Sequence, residues 1–251
     1  MNENKFDGLG GIYARFRPGY PDFFIDDLFA DVGVSRGSVL ADIGSGTGIL
    51  TRQLLARGCL VYAVEPNDDM RRIAEKALSG FPDFISVHGT AENTTLPDVG
   101  IDFITVAQAF HWFDREKFKL ECQRVLKRNG KVILVWNNRD DKSKLVLENE
   151  RINRKFCPEF KGFSGGMCGE TKNGALSDFF AGPYEVREYE NPLHFCKADF
   201  IGRNLSSSYA LREGDDAYHA YIGELEDLFD RYCENNVLTM MNYTRCYIGS
   251  V

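Results

Sequence analysis

Asp42, Gly44, Gly46 and Gly48 alternate along one short stretch, Asp-Ile-Gly-Ser-Gly-Thr-Gly, and a second carboxylate, Glu65, follows about twenty residues later. The glycines allow a sharp backbone bend and a close approach to a ligand, with Ser45 inside the bend and no Cβ in the way. An acid just before such a bend can hold the ammonium group of an amino-acid tail, directly or through water. An acid at the tip of the next strand is placed to accept hydrogen bonds from the two hydroxyls of a ribose. The spacing therefore describes a nucleoside site. A second run, Gln108-Ala109-Phe110-His111-Trp112-Phe113, sets an amide, an imidazole and three other rings side by side. His111 is the candidate general base, because an unperturbed imidazole titrates near ~6.5.

These residues need elements to carry them. Val39–Ile43 is a short apolar run of the kind that forms a buried parallel strand, and Ile49–Ala56 reads as a helix stopped by Gly58. Leu60–Val64 is a second strand that delivers Glu65, and Pro66 stiffens its exit. Asn67 caps a helix to about residue 79, carrying Met70, whose apolar side chain can cover one face of an adenine or simply fill core. Phe84–Val87 and Ile101–Ala107 are the third and fourth strands, the fourth ending at Gln108. Asp114 caps a helix through residue 127 that ends at Gly130, and a fifth strand over 131–136 brings Asn137 to the same rim. Further on, the pattern predicts helices over 145–156, 198–209 and 213–233, and strands over 184–195 and 237–248, with Pro192 marking a sheet edge or a break. Ligands of open α/β sheets bind outside the carboxyl ends of the strands, where these groups collect.

The 251 residues are 43% hydrophobic and 27% charged, ordinary for a globular chain able to bury a full sheet between helices. A net charge of −7 argues against a large phosphate-binding surface and favours a small substrate over nucleic acid. The seven cysteines, at 59, 122, 157, 168, 196, 233 and 246, show no metal-ligand spacing and read as reduced thiols of a cytoplasmic protein. No apolar leader and no membrane-length apolar run occur, so a secreted or membrane-spanning protein is not expected. No metal is expected, and the oligomeric state is not legible.

The turn from Asp42 to Gly48 resembles the first motif of the Rossmann-like (class I) S-adenosylmethionine-dependent methyltransferases, and Glu65 resembles the acid of their second motif. The Ala-Gln-Ala-Phe-His-Trp segment at 107–112 is similar to that of a small-molecule branch with a type 11-like methyltransferase domain. The resemblance implies an α/β fold: a seven-stranded, mostly parallel Rossmann-like sheet with helices on both faces, an antiparallel last strand and a helical cap. It divides the chain into a leading segment over 1–35, a cofactor-binding core over 36–138, an insertion over 139–183, and completing strands over 184–251 with a substrate cap at 196–236.

By the same resemblance the cofactor is S-adenosylmethionine, held by Asp42, Gly44, Ser45, Gly46, Gly48, Glu65, Pro66 and Met70, with Gln108, Ala109 and Phe110 at the fourth strand's tip. The turn after the third strand, which in the family supplies an acid and a backbone N–H to the adenine, is Thr90, Ala91 and Glu92. Thr90 stands where the acid is expected, leaving the Ala91 backbone and Glu92 to hold the base. The leading segment, Tyr13 to Pro21, resembles one that folds over the cofactor and lines the substrate cavity. Tyr13, Arg17 and Tyr20 are thus substrate candidates, joined by Trp112, Asn137 and, from the cap, Tyr209.

The implied reaction is direct methyl transfer to a small-molecule acceptor. No Asn-Pro-Pro-Tyr or Asp-Pro-Pro-Tyr tetrad and no Pro-Cys nucleophile occurs, which disfavours nucleic-acid methylation. Two alternatives stand beside this reading: an NAD(P)-dependent oxidoreductase, weakened by Ile49 where a third glycine belongs, and a non-catalytic S-adenosylmethionine-binding protein.

Overall fold

A computed structural model describes residues 17–163 and 175–251. Helix α1 (Asp22–Asp27), extended by a π-helical turn over Leu28–Val32, leads into β1 (Val39–Ile43), α2 (Ile49–Ala56), β2 (Leu60–Val64), α3 (Asp68–Leu78) and β3 (Phe84–Val87). Strand β4 (Ile101–Ala107), α4 (Arg115–Val125) and β5 (Leu126–Arg139) follow. The remainder is α5 (Lys144–Phe156), α6 (Ala175–Phe179), β6 (Glu185–Glu190), β7 (Leu193–Phe195), α7 (Lys197–Leu205), α8 (Tyr218–Tyr232), β8 (Leu238–Met240) and β9 (Asn242–Gly249).

Seven strands form one sheet in the order β3-β2-β1-β4-β5-β9-β6. All are parallel except β9, which runs antiparallel to both β5 and β6. This is the Rossmann-like sheet with an antiparallel last strand that the sequence implied. Strand order reverses between β1 and β4, so the crevice opens where Gly44 and Gln108 leave their strands.

Both faces are covered, which explains why the strands are apolar along their length rather than alternating with polar residues. On one face Leu40, Ile133 and Val135 pack with Phe24, Leu28, Leu54 and Leu78 from α1, the π turn, α2 and α3. On the other, Ala41, Leu134 and Trp136 pack with Phe118, Cys122 and Phe179 from α4 and α6.

A third core, separate from these two, makes the cap. Leu145, Val146 and Ile152 of α5 share it with Phe200 of α7, Tyr221, Leu225 and Leu228 of α8, and the two-stranded antiparallel sheet of β7 and β8. The stretch over 139–183, set apart as an insertion by the sequence, thus supplies one helix of the cap itself. Among the described residues no helix is long and apolar enough to cross a membrane.

Several boundaries differ from the sequence reading, each for a tertiary reason. The helix expected through 127 ends at Val125. Leu126 already pairs with Ile101 of β4, and Lys127 donates to Asp102 at 2.8 Å instead of facing the helix terminus. The strand expected over 184–195 breaks at Asn191 and Pro192, and the one over 237–248 breaks at Met241. Proline has no N–H for the ladder, and the two breaks lie together, the Asn191 N–H donating to the Asn242 carbonyl at 2.7 Å. One long ribbon thereby leaves the main sheet to carry the cap. The helix expected over 213–233 starts only at Tyr218, because a turn closed by the Arg212 N–H on Asp215 at 2.6 Å occupies the preceding residues.

Candidate functional site

The crevice at the reversal of strand order is a cleft of about 670 Å³, part of it open to solvent. Its floor is the bend after β1. Gly44, Gly46 and Gly48 have φ of +68°, +58° and +81°, the left-handed region that disfavours side chains. A Cβ on Gly44 would lie 2.7 Å from the Cβ of Ala109, whereas one on Gly46 would meet nothing within 4 Å. Gly44 is therefore required by packing, whereas Gly46 faces open space and is favoured by its left-handed φ alone. Gly48 lies against Leu78 of α3 and starts α2.

The two carboxylates are built in differently. Asp42 is 1% exposed and accepts from the Thr51 hydroxyl at 2.6 Å and the Thr105 hydroxyl at 2.9 Å. Glu65 accepts from the Gly46 N–H and the Asn67 N–H, each at 2.9 Å. Burial raises both pKa values, against the hydrogen bonds that lower them. Asn67 also caps α3, its side chain accepting from the N–H of Met70 at 3.0 Å; Met70 is buried, and Glu65, Pro66 and Met70 are not in the lining of the cleft. Two hydroxyl oxygens of the bend, Ser45 Oγ and Thr47 Oγ1, are buried without a hydrogen-bond partner, although both residues line the cleft. Such orphaned groups at a glycine bend fit a polar ligand tail.

Of the sequence candidates, Arg17, Tyr20, Asp42, Gly44, Ser45, Gly46, Gln108 and Asn137 line this cleft together. Gln108 has φ of +62°, uncommon for a residue with a side chain and of a kind that gathers at functional sites. Asn137 borders the cleft, but its amide is already engaged. It donates to the Gly19 carbonyl at 3.1 Å and accepts from the Thr244 hydroxyl at 2.5 Å, tying the leading segment to the sheet.

Thr90, Ala91 and Glu92 form a turn closed by the Thr90 N–H on Asn93 at 3.1 Å. Glu92 accepts from the Asp114 N–H at 2.9 Å, so its carboxylate is directed to the start of α4. Of the run from Gln108 to Phe113, only Gln108 borders the cleft. Ala109 packs beneath Gly44, and the Phe110 ring is buried among Phe113, Phe118, Trp136 and Phe179, leaving only its backbone for a ligand. His111 and Trp112 sit on a short 3₁₀ turn with ring centroids 4.6 Å apart, outside the cleft lining. Tyr209 stacks edge-on against Phe160 in the cap. Tyr13 lies outside the described residues. Among the described residues, no group of three or more His, Cys, Asp or Glu is arranged to hold a metal.

Among the lining residues that the sequence reading did not name are Arg139 at the end of β5 and Arg203 on α7. Burial pushes the Arg139 guanidinium down to about 10, and it stacks on Phe163 with 3.8 Å to the ring centroid. Neither lies in a motif; chain reversal and the cap helix bring them there. The same holds for Gln53, which grips Tyr20 at both backbone atoms.

The chain is similar to known methyltransferases over part of its length. Residues 41–134 match the family described as methyltransferase domain. An uncharacterized methyltransferase of Mycobacterium bovis is 39% identical over 144 residues, 57% of this chain and 56% of that protein. The chain thus spans just over half the length of that curated relative. Among solved structures, a protein from Anaeromyxobacter dehalogenans proposed to be a type II methyltransferase superposes with a TM-score of 0.67 at 23% identity, over 94% of this chain and 98% of that one. A phosphoethanolamine N-methyltransferase of Haemonchus contortus, solved with S-adenosylhomocysteine, superposes with a TM-score of 0.54 at 15% identity, over 99% of this chain and 58% of that one.

Proposed function

We propose that this chain, whose residues 41–134 match the family described as methyltransferase domain, transfers a methyl group from S-adenosylmethionine to a small-molecule acceptor. The observation that carries the reading is the contact of the glycine bend with the strand-end acid, Gly46 N–H on Glu65 at 2.9 Å, beside a cleft into which Gly46 projects no side chain. The residues fit the cofactor. Glu65 keeps lone pairs for ribose hydroxyls, Asp42 and the hydroxyls of Ser45 and Thr47 suit the amino-acid tail, and Met70 offers an apolar surface to the base.

S-adenosylmethionine, when bound, supplies a methyl carbon made electrophilic by its sulfonium, so that the acceptor's lone pair forms the new bond while the carbon–sulfur pair returns to sulfur. The chain's own share is alignment and exclusion of water, worth several kcal/mol when reactants are held in line. Arg17, Tyr20 and Gln108 line the cleft. His111 stands outside the lining, so the reading assigns no general base and suits an acceptor atom that carries no proton at neutral pH.

The six described cysteines are free thiols, which fits a reducing cytoplasmic setting. Titration calorimetry with S-adenosylhomocysteine is the direct test: one saturable site is expected, and saturable binding of NAD in its place would overturn the assignment.

A further inference from the structure

We propose that Asn242 and Arg139 form a carboxylate subsite at the edge of the cleft, which fixes the molecule to be methylated by a carboxylate that it carries. That the bound molecule is methylated rests on the reading above. The subsite itself rests on two neighbouring side chains whose donors the described residues leave unused.

Strands β5 and β9 pair antiparallel, with Asn137 opposite Thr244 and Arg139 opposite Asn242. Side chains directly opposite each other in such a pair stand on one side of the ribbon, their Cβ atoms about 5 Å apart. The Thr244 hydroxyl donates to Asn137 Oδ1 at 2.5 Å, and both Asn137 and Arg139 border the cleft. Asn242 therefore shares the side of the ribbon that faces it.

The two pairs are satisfied unequally. Around the first, Asn191 donates to Asn137 Oδ1 at 3.3 Å and to Thr244 Oγ1 at 3.2 Å, and Asn137 donates to the Gly19 carbonyl at 3.1 Å. In the second, Asn242 is 2% exposed and its Nδ2 has no hydrogen-bond partner. Arg139 lies with its face on Phe163, and among the described residues it makes no hydrogen bond and no ion pair. Buried donors are costly to leave without an acceptor. Two of them side by side at the rim of a cleft mark a place where the acceptor comes from outside the chain.

Their chemistry selects that acceptor. An amide nitrogen and a guanidinium only donate. Phe163 covers the flat face of Arg139, so its N–H groups are offered edge-on. A planar group with two oxygens spans an amide N–H and a guanidinium edge that lie next to each other, and a carboxylate is such a group. Its charge also answers that of Arg139, on which Tyr209, Arg17 and Tyr221 act but no carboxylate of the described residues does.

Saturation-transfer NMR on the full chain, with and without S-adenosylhomocysteine, tests the subsite, using butyrate, succinate and benzoate as probes and butyramide and butylamine as controls. Saturable binding of at least one carboxylate and of neither control is expected. Asn242→Asp replaces the unused donor by a counter-ion for Arg139. It is expected to raise the melting temperature at neutral pH by about 2–4 °C and to weaken the carboxylate roughly tenfold or more. Arg139→Gln is expected to weaken it as much. The subsite is overturned if no carboxylate binds, if butyramide binds equally well, or if either variant keeps the native affinity. A lower melting temperature in Asn242→Asp overturns it as well, since the two side chains then do not meet. Loss of S-adenosylhomocysteine affinity in step with the carboxylate assigns the pair to the cofactor's own carboxylate and also overturns it. Should S-adenosylhomocysteine fail to bind the native protein, the methyl-transfer reading falls, and the titrations without it still decide the subsite.

Discussion

The backbone N–H of Gly46 donates to Oε2 of Glu65 at 2.9 Å, across the gap between the ends of β1 and β2. The two halves of the motif therefore fix each other: the acid holds the bend open, and the bend, with Asn67, sets the orientation of the acid. A carboxylate already bound by two N–H groups stays in place with little rotamer freedom to lose when a ligand arrives.

Substitution at neighbouring glycines separates binding from packing. Gly46→Val places a side chain in the cleft and is expected to abolish most S-adenosylhomocysteine affinity, with a stability loss of only about 1–2 kcal/mol from the left-handed backbone. Gly44→Ala drives a methyl into Ala109 at 2.7 Å and is expected to lower stability by about 2 kcal/mol or more. Denaturant melts and calorimetry on both variants check this. Native-like ligand affinity in Gly46→Val would show that the bend does not face the ligand.

Asp42 gives a dependence of stability on pH with a definite sign. Its pKa is raised by burial, so its contribution is fully present below the ordinary carboxylate value of ~4 and is lost as pH climbs through the raised value. Relative to Asp42→Asn, the native chain is expected to lose ground from pH ~4 toward neutrality. Thr51→Val and Thr105→Val each remove one hydroxyl donor and are expected to cost about 1–3 kcal/mol. Thermal melts across pH test both, and a gap between native chain and Asp42→Asn that widens in favour of the native chain with rising pH would contradict the assignment.

What could be read from sequence follows contact distance along the chain. The bend, Glu65 and the Asn67 cap lie within one strand–helix–strand unit, so spacing alone places them. Thr105 reaches Asp42 from 63 residues away and Ser206 reaches Arg17 from 189, and no local pattern announces such pairs. Arg139 reads as the frayed end of a strand and Arg203 as one more charge on a helix until β5 and the cap bring them to one cleft. The Phe110 ring is the opposite case: it turns into the core from a strand tip, and periodicity does not report which way a 3₁₀ turn points a side chain.

Acid sensitivity is expected to come mainly from Glu121. Against burial, which favours the neutral form, hydrogen bonds from Arg124 and Thr94 hold its carboxyl down to about 2. A depressed carboxylate contributes stability above its ordinary value of ~4.3 and loses it as pH falls through about 2. Glu121→Gln is expected to cost on the order of 2–3 kcal/mol near neutrality and almost nothing near pH ~2. Urea melts at both ends of that window measure it, and a gap of equal size at the two pH values would assign the effect to packing alone.

Gln53 links the fold to the cleft. Its amide oxygen accepts from the Tyr20 N–H at 3.1 Å and its amide nitrogen donates to the Tyr20 carbonyl at 2.7 Å, so α2 clamps the leading segment as a neighbouring strand would. Tyr20 and Arg17 line the cleft from that segment, which makes Gln53 a positioning residue that touches no ligand. Gln53→Met keeps the side-chain length but removes both bonds, at about 1–3 kcal/mol of local stability. Opening of the segment then precedes global unfolding. Limited proteolysis is expected to cut the variant near residues 17–21 while the native chain resists, with the melting transition of the sheet nearly unmoved. If the variant resists protease as the native chain does, the segment is held by its other contacts, Arg17 on Ser206 and Asn137 on Gly19, and the clamp is dispensable.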